Sequence, residues 1–332
     1  MSGLIVGGYM ANNFYNRIYS DAIISSQNPT LYIESNWNYE DLKNALKDSS
    51  WLKDVDDFDW VAQKKNYPTL LKPGKYEIKT GWSNAQFIDL LRSGEQLPIR
   101  VTFNNQRTLK KLAGHVSRYF EADSAAFATH ILNSETHKKY GFNAATFPAL
   151  FIPNTYEFYW NTNPEKFVAR MASEFKIFWT EKRKAKATKL GLTQSETVTL
   201  ASIVEEETKM NDEKPRVAGV YLNRLKKGML LQADPTLIFG IGDFSIRRVL
   251  NIHKKIDSPY NTYIYKGLPP GPIRIPEISS IDAVLNPEKH NYFYFCAKED
   301  FSGYHNFSNS YREHLNNAKR YQRALNQRKI YK

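Results

Sequence analysis

Residues 193–208 read TQSETVTLASIVEEET, and the rest of the chain is arranged around this stretch. Thr193 and Glu196 stand in capping-box spacing: the threonine hydroxyl can accept from the Glu196 amide while the Glu196 side chain accepts from the Thr193 amide. The helix has a defined start. Leu200, Ile203, Val204 and Glu207 then fall at i, i+3, i+4 and i+7, the single stripe that an amphipathic helix turns to a core. A carboxylate stands where a fourth apolar residue is expected. Glu205 and Glu206 are displaced by roughly 100° per residue around the wheel, where water can solvate them. Burial against apolar neighbours disfavours charge, so a carboxyl at Glu207 has a raised pKa and can hold a proton near neutral pH, as a general acid must. A glutamate on the last turn of such a helix also often just emerges into water, and the helix alone leaves both readings open.

Beyond the glutamates, EKPRVAGVYLNRLKKG (213–228) predicts a second helix, started by Pro215 and stopped by Gly228, with Val217, Val220, Tyr221 and Leu225 facing inward. LLQADPTLIFGIGDF (230–244) follows, a polar cluster of Gln232, Asp234 and Thr236 among apolar residues. Pro235 gives Asp234 the look of a turn residue, although it is also the one nearby acid able to serve as a second carboxylate. SPYNTYIYKGLPPGPI (258–273) carries Tyr260, Asn261, Thr262 and Tyr263 into a Gly-Pro turn that suits a rigid groove wall. NYFYFCA (291–297) reads as a buried strand, HNFSNSY (305–311) ends it with His305 and Asn306, and a closing helix runs from about Tyr311 to Arg328.

Upstream, TLYIES (30–35) alternates like a strand, residues 39–46 and 58–66 read as short helices, and Pro73-Gly74 turns into LKPGKYEI (71–78). WSNAQFIDLLRSG (82–94) is a helix opened by Ser83 and closed by Gly94, and LPIRVTF (97–103) is a last strand. Trp37, Trp51, Trp60 and Trp82 can stack on sugar faces, but core membership is the ordinary role of such aromatics. Residues 104–190 are mainly helical, with a strand-like loop at FPALFIPNTYEFYWNT (147–162). Lys182, Arg183, Lys184, Lys186 and Lys189 form a solvated helix end.

At 332 residues, 42% apolar and 24% charged, the chain has a globular make-up and is long enough for two domains or a domain with a large annex, and wholesale disorder is excluded. Its 46 Lys and Arg against 34 Asp and Glu give +12, which favours polyanions as partners: nucleic acid, anionic lipid or a carboxylated polymer. No nucleic-acid motif accompanies the charge, so no nucleic acid is expected as partner. Cys296 is alone, which excludes an intrachain disulfide, and seven scattered His show no ligand spacing; neither metal nor cofactor is expected. The opening MSGLIVGGYMANNFY is shorter than the ~20 residues needed to span a bilayer. It reads either as a buried segment or as the remnant of a membrane anchor, followed by an amphipathic stalk through Ile18, Ile23 and Ile24.

ASIVEEET, VYLNRLKKGMLLQADPTLIFG, SPYNTYIYKGLPPGPI and FYFCAKED…YHNFSNSY, in that order, closely resemble the YceG-like family, the MltG-type endolytic murein transglycosylases. FIPNTYEF and LKPGKYEI…LLRSGEQ resemble the family's middle and LysM-like segments. The resemblance implies an α+β fold: a membrane-proximal segment over 1–29, a small LysM-like domain over 30–103, and a mixed, helix-rich catalytic domain with short sheets over 104–332. It also implies a single-pass bacterial inner-membrane enzyme, with its catalytic domain outside the membrane, working with penicillin-binding-protein synthases on peptidoglycan strands. The complete transmembrane segment usual in the family does not stand in this sequence. The reaction implied cuts nascent glycan between N-acetylmuramic acid and N-acetylglucosamine, within strands, to leave 1,6-anhydromuramoyl ends without water. By the same resemblance Glu207, followed by Thr208, matches the Glu-Ser pair of other lytic transglycosylases, with Glu205 as the fallback.

In such a mechanism protonated Glu207 donates to the glycosidic oxygen, the substrate's acetamido group steadies the anomeric carbon, and ionised Glu207 takes the muramic C6 hydroxyl proton. A hydrolase would need a second carboxylate, for which only Asp234 offers. Gln232, Asp234, Thr236, Tyr260, Asn261, Thr262, Tyr263 and His305 are the expected substrate-binding side chains, each able instead to satisfy local backbone. A non-catalytic glycan-binding envelope protein is the alternative of a different class.

Overall fold

The computed structural model describes residues 2–246 and 248–328, without the side chains of residues 2–5. Met1, Arg247 and residues 329–332, which fall within the segments assigned above, lie outside the described residues. The α+β class is as expected: fourteen α-helices and three two-stranded sheets among the described residues. The chain divides into two compact units, the first comprising residues up to Val101 with Ser117–Asp123 and Thr155–Asn163, the second the remainder.

In the first unit α1 (Ser2–Tyr19) is followed by β1 (Thr30–Ile33), α2 (Tyr39–Lys47), α3 (Val55–Lys64), β2 (Gly74–Glu77) and α4 (Asn84–Ser93). β1 and β2 pair antiparallel, Thr30 opposite Glu77 and Ile33 opposite Gly74, so Leu31, Ile33 and Tyr76 point to one core. The caps are those the sequence dictates: Ser83 forms a capping box with Gln86, and Gly94 closes α4 in the left-handed region at φ 73°. Trp37, Trp51, Trp60 and Trp82 lie half-buried against this core, with Phe58 and Phe87 in its interior, as ordinary core aromatics do. The end of α1 is docked rather than free: Arg17 Nε meets Asp57 Oδ1 at 2.5 Å and Phe14 stacks on Trp60. The stalk read through Ile18, Ile23 and Ile24 is therefore corrected. Ile18 and Ile23 pack into the core and only Ile24 is exposed, because the chain turns back on itself after Tyr19. No helix among the described residues is long and apolar enough to cross a membrane.

β3 (Ile99–Phe103) pairs with β4 (Asn154–Phe158). The second unit holds α5 (Leu109–Val116), α6 (Ser124–Ile131), α7 (Ser134–Lys139), α8 (Pro164–Phe178), α9 (Glu181–Lys189), α10 (Gln194–Glu207), α11 (Lys214–Lys226), α12 (Asp234–Ile241) and α13 (Ile278–Leu285). It closes with β5 (Tyr294–Ala297), β6 (His305–Ser308) and α14 (Tyr311–Gln327). α10 is its centre, packed against α11, α12 and α13, and Leu200, Ala201, Ile203 and Val204 are fully buried. Gly271, in the Gly-Pro turn, lies so close to the Ala145 carbonyl that a Cβ would sit 1.9 Å from its oxygen. Only glycine fits there.

Two local readings change. Residues 305–308 do not end a strand but form one, β6, antiparallel to β5 with Ala297 opposite His305, and β5 is half-buried rather than buried. Asp234 and Pro235 open α12 instead of making a turn, since proline at the first helical turn gives up only an amide that has no helical partner.

Candidate active site

α10 ends at Glu207, where Thr208 leaves the helix in extended conformation. The side chain is half-buried, with protein packed densely around its carboxyl. Burial is the main cause that pushes its pKa up, to about 7; the Asp234 charge adds to this, while the Tyr221 hydrogen bond, His305 and Arg224 pull it down. Tyr221, about two turns into α11, donates its hydroxyl to Glu207 Oε1 at 2.5 Å. Burial and the adjacent Glu207 hold that phenol far above its usual range, so it keeps its proton and stays able to donate.

The loops bring further groups to the same place. Asp234 is exposed at the start of α12 and accepts from the Tyr263 hydroxyl, whose pKa burial and Asp234 both raise. His305, on β6, gives its backbone amide to Glu213 Oε1 at 2.8 Å and its Nδ1–H to Glu213 Oε2 at 2.7 Å, which leaves Nε2 as the nitrogen free of that pair. Burial alone would raise Glu213, but the His305 side-chain and backbone bonds and Thr208 outweigh it and keep the carboxyl below its usual value. Among the expected residues, Glu207, Asp234, Tyr263 and His305 are thus coupled electrostatically.

Others serve the scaffold. Thr236, Asn261 and Thr262 are almost wholly buried: the two threonine hydroxyls meet at 2.9 Å, and Asn261 Nδ2 donates to the carbonyls of Lys254 and Ile256. These three shape the loop behind the site and do not line it. Gln232 is exposed, its backbone held at φ 50° by a bond from its amide to Thr262 O. A non-glycine residue in that region marks a tightly specified loop. Tyr260 is half-buried against Phe239.

The expected solvation of Glu205 is overturned. It is 8% exposed, and both its oxygens are taken: Oε1 by Asn105 Nδ2 at 2.7 Å, Oε2 by the Glu277 amide at 2.6 Å and Ser280 Oγ at 2.9 Å, with Arg274 Nε 3.4 Å from Oε1. Glu206 is half-buried, bridged to Arg107 and Arg274. A helix wheel knows nothing of what approaches from residues 105–107 and 274–280, which is why both looked solvated. Nothing in the sequence marks Arg224 or Glu213 as a site residue; for Tyr221 the one signal is the inward face of α11, where a tyrosine hydroxyl in an apolar stripe calls for a partner. Among the described residues no group of His, Cys, Asp and Glu is arranged to hold a metal.

The model of the YceG-like family matches residues 31–320. An endolytic murein transglycosylase of Bacillus subtilis is 41% identical over 131 residues, 40% of this chain and 36% of the relative. One from Streptococcus pneumoniae is 26% identical over 302 residues, 81% of this chain and 54% of the relative. The chain thus matches about half the length of the pneumococcal relative and less of the Bacillus one. A crystal structure of a YceG-like protein from Listeria monocytogenes superposes with a TM-score of 0.57 at 26% identity, covering 88% of this chain and 99% of that one. With the family pattern running over nearly its whole length, the chain belongs to the YceG-like family.

Proposed function

We propose that this protein is an endolytic murein transglycosylase, which opens the β-1,4 bond between N-acetylmuramic acid and N-acetylglucosamine within nascent peptidoglycan strands and leaves 1,6-anhydromuramoyl ends. The observation that carries the reading is Glu207: one carboxyl, burdened by burial until it holds a proton near pH 7, in a member of a family whose relatives bear that name. Protonated Glu207 gives its proton to the glycosidic oxygen as the bond to the anomeric carbon breaks. The substrate's acetamido oxygen bonds to that carbon in its place. Ionised Glu207 then takes the proton of the C6 hydroxyl as its oxygen displaces the acetamido group, so the acid is restored and no water is consumed. Tyr221 steadies the ionised form and Asp234 the protonated one, which suits a residue that must be both acid and base. Because the substrate lies outside the cytoplasmic membrane, the reading places the catalytic unit there, tethered through an N-terminal anchor and trimming strands beside penicillin-binding-protein synthases.

Mass spectrometry of digested peptidoglycan tests this directly, since an anhydro end is lighter than a hydrolysed end by one water. Anhydro ends are expected; reducing ends would make the enzyme a hydrolase, and retention of strands with no release would leave a glycan binder. Asp234→Asn is expected to keep the anhydro product while moving the alkaline fall of activity to lower pH, because the charge that holds the Glu207 proton is gone. Reducing-end sugars lost together with turnover in that variant would instead make Asp234 a hydrolytic carboxylate.

Tyr221→Phe acts in the opposite sense. Its hydroxyl favours ionised Glu207, so removing it raises the carboxyl pKa and shifts the alkaline limb of the pH–rate profile upward. An unmoved limb would detach the limb from Glu207.

A further inference from the structure

On the side of α10 bearing Glu205 and Glu206 lies a cavity of about 570 Å³ whose lining includes Thr208, the residue next to Glu207. Four cations line it: Arg107, Lys209, Lys214 and Arg274. The carboxylates around it are already committed. Glu206 takes both arginines, Glu205 takes Asn105, Ser280 and the Glu277 amide, and Glu277 Oε1 accepts from the Asn105 amide at 2.7 Å. That leaves the two lysines. Lys209 is exposed, whereas Lys214 is only 5% exposed and its ammonium has a single hydrogen bond, to Ser279 Oγ at 3.1 Å. A lysine is seldom buried without a carboxylate, because desolvating an ammonium is costly. Three N–H donors with one neutral acceptor leave room for an anion.

We infer that this cavity is a carboxylate subsite, where Lys214 and Lys209 receive the free carboxylate of the peptide carried by the muramoyl unit under attack, so that the enzyme selects peptide-bearing over bare glycan. The inference rests on the reading of the protein as a murein transglycosylase. Its geometry follows from the substrate: the peptide leaves the muramoyl ring through the lactyl group on C3, two ring atoms from the anomeric carbon that Glu207 serves. A sugar seated at Glu207 must therefore send its peptide off close to the reacting bond, and Thr208, the next residue in the chain, is among those that line the cavity. Burial, the largest influence on Lys214, pushes its pKa down against the pull of Glu205 and Glu277; an incoming carboxylate adds to that pull and gives the ammonium an acceptor in direct contact.

The test compares glycan strands that keep their peptides with the same strands stripped by an amidase. Wild type is expected to show a preference in kcat/KM of tenfold or more for peptide-bearing strands, and Lys214→Met and Lys209→Ala each to bring the ratio toward one. Lys209 is at the surface, so its variant keeps the test alive if Lys214→Met fails to fold. Binding of the two strand types to Glu207→Gln, with and without Lys209→Ala, gives the same ratio without turnover. An equal response to both strand types by wild type, or a ratio that neither lysine variant alters, overturns the subsite. Absence of anhydro ends from either strand type, with the binding ratio intact, overturns the transglycosylase reading and leaves the subsite standing.

Discussion

Glu207→Gln should lower turnover by about a thousandfold, the scale that removing a general acid–base group commands, while glycan strands still bind. The amide keeps the shape of the side chain and can still accept from Tyr221, so the loss falls on proton transfer rather than on the fold. Stability supplies an independent readout. The folded-state pKa of about 7 lies above the ordinary 4.5, so between these values the folded protein holds a proton that the unfolded chain has released. Unfolding free energy must then fall as pH rises through this window, and the loss is complete above pH 7. Glu207→Gln has no such proton, so its stability relative to wild type should climb from pH 4.5 to 7 and level off beyond. A variant that is inactive and also less stable at pH 8 would assign the loss to misfolding. A fully active variant would remove Glu207 from the chemistry.

Much of this site is legible in the chain because its logic is local. The Thr193–Glu196 box and the stripe of Leu200, Ile203 and Val204 set the start and rotation of α10, and that rotation turns Glu207 inward to where Tyr221 meets it. Pro215 and Gly228 delimit α11 in the same way. What stays hidden is set by segments distant in sequence. Glu205 meets Asn105 across 100 residues and Ser280 across 75, and no periodicity within α10 reports either. Asn261 and Thr262 carry the polar side chains of a groove wall, yet both are spent on loop carbonyls and amides, because a Gly-Pro-rich segment without a sheet ladder must satisfy its backbone with side chains. The strand at 305–308 is short and polar, and only the register of β5 opposite it makes it a strand. His305 gains its place in the site from that pairing and from Glu213.

The other large effect concerns Glu205, and it separates two neighbouring carboxylates that a motif alone cannot tell apart. All four groups around Glu205 are donors: Asn105 Nδ2, the Glu277 amide, Ser280 Oγ and Arg274 Nε. A carboxylate accepts on both oxygens, whereas the amide of Glu205→Gln must turn an NH2 toward donors whichever way it flips. With its side chain 6% exposed, no water reaches in to relieve the conflict, and Arg274 loses half of the charge that balances it. Breaking a buried ion pair of this kind costs about 3–5 kcal/mol, which for a unit of this size lowers Tm by roughly 10 °C. The damage is to the fold and not to the proton. Molecules of Glu205→Gln that remain folded at low temperature should still form anhydro ends, with the alkaline limb of their pH profile unmoved, because that limb belongs to Glu207. Calorimetry and a pH–rate profile on the same preparation check both halves. Should Glu205→Gln melt with wild type and yet lose turnover, the acid is Glu205, and the proton held near neutrality on Glu207 has another use.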